Sequence, residues 1–166
     1  KKEDYSVSEE LFGDGVYLAN LNSDKQIVIC GLKEKLENFK EQNPLGKYIP
    51  LNVSAPFHSE LMIESSKKFK EKNINTIFNK TEFDIISNYK LKNYKEFSKE
   101  EYLDQLTNQI HSPVMWSGTI KKIMRSKVDQ FIEIGPKKTL LNFLSRDLDV
   151  EKVAITNKEE IENYVS

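Results

Sequence analysis

The apolar residues of this chain recur with two distinct periods, and the changes between them divide the sequence into elements. Residues 16–21 and 26–30 are short, largely apolar runs of β-type, separated by the turn sequence Asn22-Ser23-Asp24-Lys25. Two such runs so closely joined predict an antiparallel hairpin. Gly13-Asp14-Gly15 turns the chain into it, after what reads as the tail of a helix at residues 7–11. Beyond Gly31 the period lengthens. Leu32, Leu36 and Phe39 stand at i, i+4 and i+7, one stripe of a helix, and Asn43-Pro44-Leu45-Gly46 ends it. Residues 47–53 read as a third strand. Residues 7–53 therefore read as a β-β-α-β unit, part of a ferredoxin-like split βαβ arrangement.

The remainder alternates helix and strand. A helix is expected from about Ser59 to Lys72. An Asn- and Lys-rich stretch follows, with one strand-like run at residues 83–86. Ser98 with Glu101 is a capping box opening a helix that carries Leu103, Leu106 and Ile110 on one face. Pro113 suits the first position of the next helix, whose apolar positions are Trp116, Ile120, Ile123 and Met124. Residues 129–134 are a strand, and Gly135-Pro136 turns out of it. Leu140, Leu141, Leu144 and Leu148 mark another helix, residues 153–155 a short strand, and Asn157 with Glu160 caps a last helix. This alternation predicts an α/β body with a largely parallel sheet.

The 166 residues, 38% hydrophobic and 31% charged, suffice for one globular domain with its own core. A net charge of -1 provides no basic field for nucleic acid. No apolar run reaches the roughly 20 residues of a membrane-spanning helix. The single cysteine, Cys30, excludes an internal disulfide, and a cytoplasmic setting is expected. The chain does not begin with Met, which suggests a processed or truncated piece.

Only two histidines are available for acid–base chemistry. His58 lies between a strand end and a helix start, where sites of open α/β sheets gather. It reads either as a plain surface-loop histidine or as a base working near neutral pH. His111, at a helix C-terminus, reads as a side chain favoured by the helix dipole. No Gly-x-Ser-x-Gly elbow occurs, and Cys30 sits in an apolar strand where a thiol is inert, so a base is present without a convincing nucleophile. Metal-ligand spacings and glycine-rich phosphate loops are absent, so no metal or cofactor is expected. The basic run Lys121, Lys122, Arg125, Lys127 reads as a solvated helix face or a surface for an acidic partner.

Four segments in order carry a resemblance: residues 20–31, residues 49–62 with Pro56-Phe57-His58-Ser59, residues 109–116 with Gln109 and Pro113-Val114, and residues 131–140 with Gly135-Pro136-Lys137-Lys138. Together the chain resembles the C-terminal portion of the malonyl-CoA:acyl carrier protein transacylases and the acyltransferase domains of polyketide synthases. That resemblance implies an α/β-hydrolase-like core with an inserted ferredoxin-like small subdomain. Residues 1–53 would be part of the subdomain, and residues 54–166 the C-terminal part of the core. It implies that His58 is the catalytic base, oriented by the backbone carbonyl of Gln109, and that Phe57, Asn20 and Asn22 lie at the substrate. The partners implied are an acyl-CoA and an acyl carrier protein. The nucleophilic serine and the arginine that pairs the malonyl carboxylate are expected on a missing N-terminal half. Phe57 before His58 resembles the malonyl-type enzymes. An acyl hydrolase that clears a carrier protein, and a non-catalytic docking fragment, are the competing readings.

Overall fold

A computed structural model describes residues 12–146 and 148–165; the helix tail expected at residues 7–11 lies outside them. The chain forms two compact units, Lys1–Thr119 and Ile120–Ser166. The packing divides after Thr119.

The first unit opens with the expected hairpin. Strands β1 (Val16–Ser23) and β2 (Gln26–Gly31) pair antiparallel, with Val16 opposite Gly31 and Leu18 opposite Ile29. Gly15, at φ +83, makes the turn before β1. Across the ladder a Cβ on Gly31 would stand 2.3 Å from the Gly15 carbonyl oxygen, so only glycine fits. The second edge of β1 takes Val114: the Leu21 N–H donates to the Val114 carbonyl and the Val114 N–H to the Ala19 carbonyl, each at 2.9 Å. Val16, Ala19, Leu21 and Asn22 of β1 are buried.

Helix α1 (Lys33–Gln42) follows, with no fully buried residue. The expected third strand at residues 47–53 does not form. Its segment has no ladder partner among the described residues, and Ile49, Leu51 and Val53 are 67%, 59% and 63% exposed. A strand pattern supplies backbone and side chains, but only a neighbouring strand can satisfy the N–H and C=O groups. Residues 16–53 are thus β-β-α.

Helix α2 (Ile63–Lys72) is entered through a 3-10 turn, Glu60–Met62. Residues 83–86 make only an isolated bridge, Ile86 to Asn93, because the chain doubles back through Ser87 and Leu91 at once. Tyr94, Phe97 and Tyr102 form a buried aromatic cluster with Phe78 packed against it. Their rings meet edge-to-face at centroid separations of 5.5–6.0 Å. Such pairs add about 0.5–1.5 kcal/mol beyond simple burial. Helix α3 (Lys99–His111) starts at the expected capping box. Ser98 Oγ accepts from the Glu101 N–H, and Glu101 Oε2 accepts from the Ser98 N–H. Helix α4 (Trp116–Ile123) begins three residues later than Pro113 suggests, since Val114 is engaged with β1.

In the second unit, β3 (Gln130–Ile134) and β4 (Glu151–Ile155) pair in parallel, Ile132 opposite Val153. The sheets among the described residues are two separate pairs, one antiparallel and one parallel, not the continuous largely parallel sheet expected. The leucine run gives one 3-10 turn, Leu141–Phe143, instead of a helix over residues 140–148. The Glu133 carboxylate accepts from the Leu140 and Leu141 N–H groups at 3.0 and 2.9 Å, and Leu144 turns extended at ψ 138 towards β4. Helix α5 (Lys158–Val165) is capped by Asn157, whose side-chain oxygen accepts from the Glu160 N–H.

Candidate active site

The site grows from the end of α3. The last four carbonyls of an α-helix have no partner within it. Pro113 stops this helix, and the residue before it, Ser112, is held extended at φ -112, ψ 150. The carbonyls of Gln109 and Ile110 are therefore left open, and both are used by one residue. The His58 N–H donates to the Ile110 carbonyl at 3.1 Å. His58 Nδ1 lies 3.0 Å from the Gln109 carbonyl oxygen.

That second contact assigns the ring proton. A carbonyl oxygen only accepts, so Nδ1 must carry the hydrogen, and the neutral ring then keeps its lone pair on Nε2. The ring also lies against the negative end of the α3 dipole, the place where a side chain that acquires positive charge is best stabilised. The acceptor is main chain, so the side chain of residue 109 takes no part in this bond.

The loop before α2 presents the ring. His58 has φ 64, the left-handed region, within the turn formed by Phe57 and His58. Ser59 is buried, and its hydroxyl donates to the Pro56 carbonyl at 2.6 Å. The Cys30 thiol, at the end of β2, donates weakly to the Phe57 carbonyl at 3.9 Å. Burial pushes the Cys30 thiol above its ordinary range, against a smaller lowering by the Ser59 hydroxyl. Phe57 is 45% exposed beside the histidine.

Among the residues expected at the site, His58, Phe57 and Gln109 come together directly. Asn20 and Asn22 lie on β1, where Asn20 is bridged to Val114, in the segment that follows Gln109 and Ile110. Asn22 is buried and Asn20 half-buried. His111 ends α3, its Nδ1 buried without a hydrogen-bond partner among the described residues. Sequence reasoning missed the Ile110 carbonyl, the Ser59 hydroxyl and Cys30 as neighbours of the loop. Only Ser59, adjacent to the histidine, left any local signal. No cluster of three or more metal-ligating side chains occurs among the described residues, and no helix there is long and apolar enough to cross a membrane.

The chain is 36% identical over 160 residues to the malonyl CoA-acyl carrier protein transacylase of Bacillus subtilis (strain 168), a match covering 94% of this chain and 49% of that protein. Over most of its length the chain is homologous to malonyl CoA-acyl carrier protein transacylases. The α/β fold agrees. The crystal structure of the malonyl CoA-acyl carrier protein transacylase from Clostridium perfringens ATCC 13124 superposes with a TM-score of 0.82 at 33% identity, over 95% of this chain and 50% of that one. A malonyl-transacylase solved in complex with its type II PKS acyl-carrier protein matches with a TM-score of 0.80 at 28% identity, over 89% of this chain and 48% of that one. No protein-family profile matches the chain. The chain thus spans about half the length of the family members it matches.

Proposed function

We propose that this chain contributes the base of a malonyl-CoA:acyl carrier protein S-acyltransferase. The observation that carries the reading is the bond from His58 Nδ1 to the Gln109 carbonyl, which leaves Nε2 as the basic nitrogen. A ring held in one tautomer by an acceptor behind it is the arrangement of a serine–histidine pair, with a carbonyl in place of the usual carboxylate.

In this reading a serine hydroxyl, on a segment outside these 166 residues, loses its proton to His58 Nε2 while its oxygen attacks the thioester carbonyl. The tetrahedral intermediate collapses. The coenzyme A thiolate leaves with the proton returned by the imidazolium, and an acyl-serine remains. The phosphopantetheine thiol of an acyl carrier protein repeats the sequence in reverse, which gives ping-pong kinetics. The names of the relatives supply the acyl group and the carrier protein. Phe57, Asn20 and Asn22 are assigned to the substrate side. The hairpin and α1 are assigned to a ferredoxin-like small subdomain, residues 54–166 to the C-terminal part of an α/β-hydrolase-like core, and the missing half to the serine. The product serves fatty acid or polyketide synthesis.

The test is a chimera in which these residues replace the matched half of the Bacillus subtilis protein. Intact-mass spectrometry should show one malonyl group gained on the chimera, then passed to the carrier protein. His58→Ala should slow transfer by about 10²–10⁴-fold, the range for loss of a positioned base. Undiminished transfer without His58 rules out its role as base. Failure of the unmutated chimera to take up malonyl rules out the transferase reading. Release of the acyl group to water instead of the carrier thiol identifies a hydrolase.

A further inference from the structure

We propose that Ser59 is a positioning residue for His58, closing the turn that gives the imidazole its direction. The inference rests on the reading of His58 as base but is drawn from separate bonds. A non-glycine residue in the left-handed region is strained, so something must hold it there. His58 stands at φ 64 as the third residue of the four-residue turn from Pro56 to Ser59. In many turns the backbone N–H of the fourth residue bonds the carbonyl of the first. Here the Ser59 hydroxyl donates to the Pro56 carbonyl, at 2.6 Å.

Ser59 is only 2% exposed, so its hydroxyl is shielded from bulk water. Its own carbonyl accepts from the Met62 N–H at 2.9 Å, which ties the same residue to the first turn leading into α2. Ser59 therefore joins the loop before the histidine to the helix after it. Without the hydroxyl, the half-buried Pro56 carbonyl loses this bond and the left-handed geometry loses a brace. The ring then swings away from the end of α3, and the proton is no longer confined to Nδ1.

Ser66 is a matched control. Its hydroxyl donates to the Ile63 carbonyl, also three residues back, at 2.7 Å, and it is also 2% exposed. Its bond lies wholly within α2. With two histidines in the chain, long-range proton–nitrogen spectra of the 166-residue protein show two rings, and His58→Gln assigns them by deletion. Above the titration range, the His58 ring of the parent should be a single neutral form protonated on Nδ1. Ser59→Ala should lose that single form and average between both tautomers, while Ser66→Ala should leave it unchanged. Ser59→Cys, with a longer and weaker donor of similar size, should fall between, and it serves if the alanine variant fails to fold. An unchanged His58 ring in Ser59→Ala or Ser59→Cys, or an equal change in Ser66→Ala, overturns the positioning role. A parent ring protonated on Nε2 overturns instead the reading of His58 as base, so the two failures are distinguishable.

Discussion

Cys30 is the chain's sole thiol, and its surroundings set how it reacts. Burial at the end of β2 raises its pKa, with the Ser59 hydroxyl opposing more weakly. The native protein therefore holds the thiol proton more tightly than the unfolded chain does. The stability this group contributes is present below the ordinary thiol pKa and is lost as pH rises through the raised one. Only the thiolate attacks an alkylating reagent. At pH 8, iodoacetamide should label Cys30 several-fold more slowly in the native protein than in urea, with the gap closing as pH rises. Equal rates in the two states would show that the thiol is not desolvated. The same residue scale holds the part of the candidate site that was hardest to read. His58 stands out in the sequence as a loop histidine at a strand end. Its acceptor lies 51 residues away and is a carbonyl, which no side-chain pattern reveals. The link to Gln109 was legible only through family resemblance, and the left-handed turn closed by Ser59 was not legible at all.

At the scale of elements, α3 does two jobs at its two ends. Its N-terminus and middle pack the aromatic cluster, and its C-terminus holds His58. Tyr102 belongs to the first job: 3% exposed, with its hydroxyl buried and without a hydrogen-bond partner among the described residues. An unpaired buried hydroxyl costs desolvation and returns nothing, while the ring keeps its edge-to-face contacts. Tyr102→Phe should therefore leave stability unchanged or raise it by about 1 kcal/mol, measured by urea unfolding. A loss larger than that would reveal a partner for the hydroxyl. The elements that local pattern identified best are those whose bonds are local: the hairpin, the Ser98 capping box and the cap at Asn157. Those it misjudged depend on something distant. Residues 47–53 carry a strand pattern with no strand beside them. The leucines at 140, 141, 144 and 148 carry a helical pattern, but Glu133 takes the two amides that would start the helix.

At the scale of the molecule, the chain spans about half the length of its relatives and exposes many large apolar side chains, Ile77, Phe83 and Ile134 among them at 87%, 78% and 74%. Large apolar side chains left in water are the kind of surface that meets a partner. In the proposed reading these side chains meet the segment that carries the serine. The unpaired segment at residues 47–53 has a further consequence, for self-association. A bare, apolar, extended backbone is a template on which a second copy can grow a cross-β ladder. Pro50 stands in the middle of it, between Ile49 and Leu51, and has no N–H to give to such a ladder. It is a gatekeeper, built into the stretch that most needs one. Pro50→Thr should shorten the lag before thioflavin-positive fibrils form, and an unchanged lag would show that the proline does not guard this edge. The proline that keeps this segment from joining a ladder in the wrong molecule also limits which of its amides the right partner can bond.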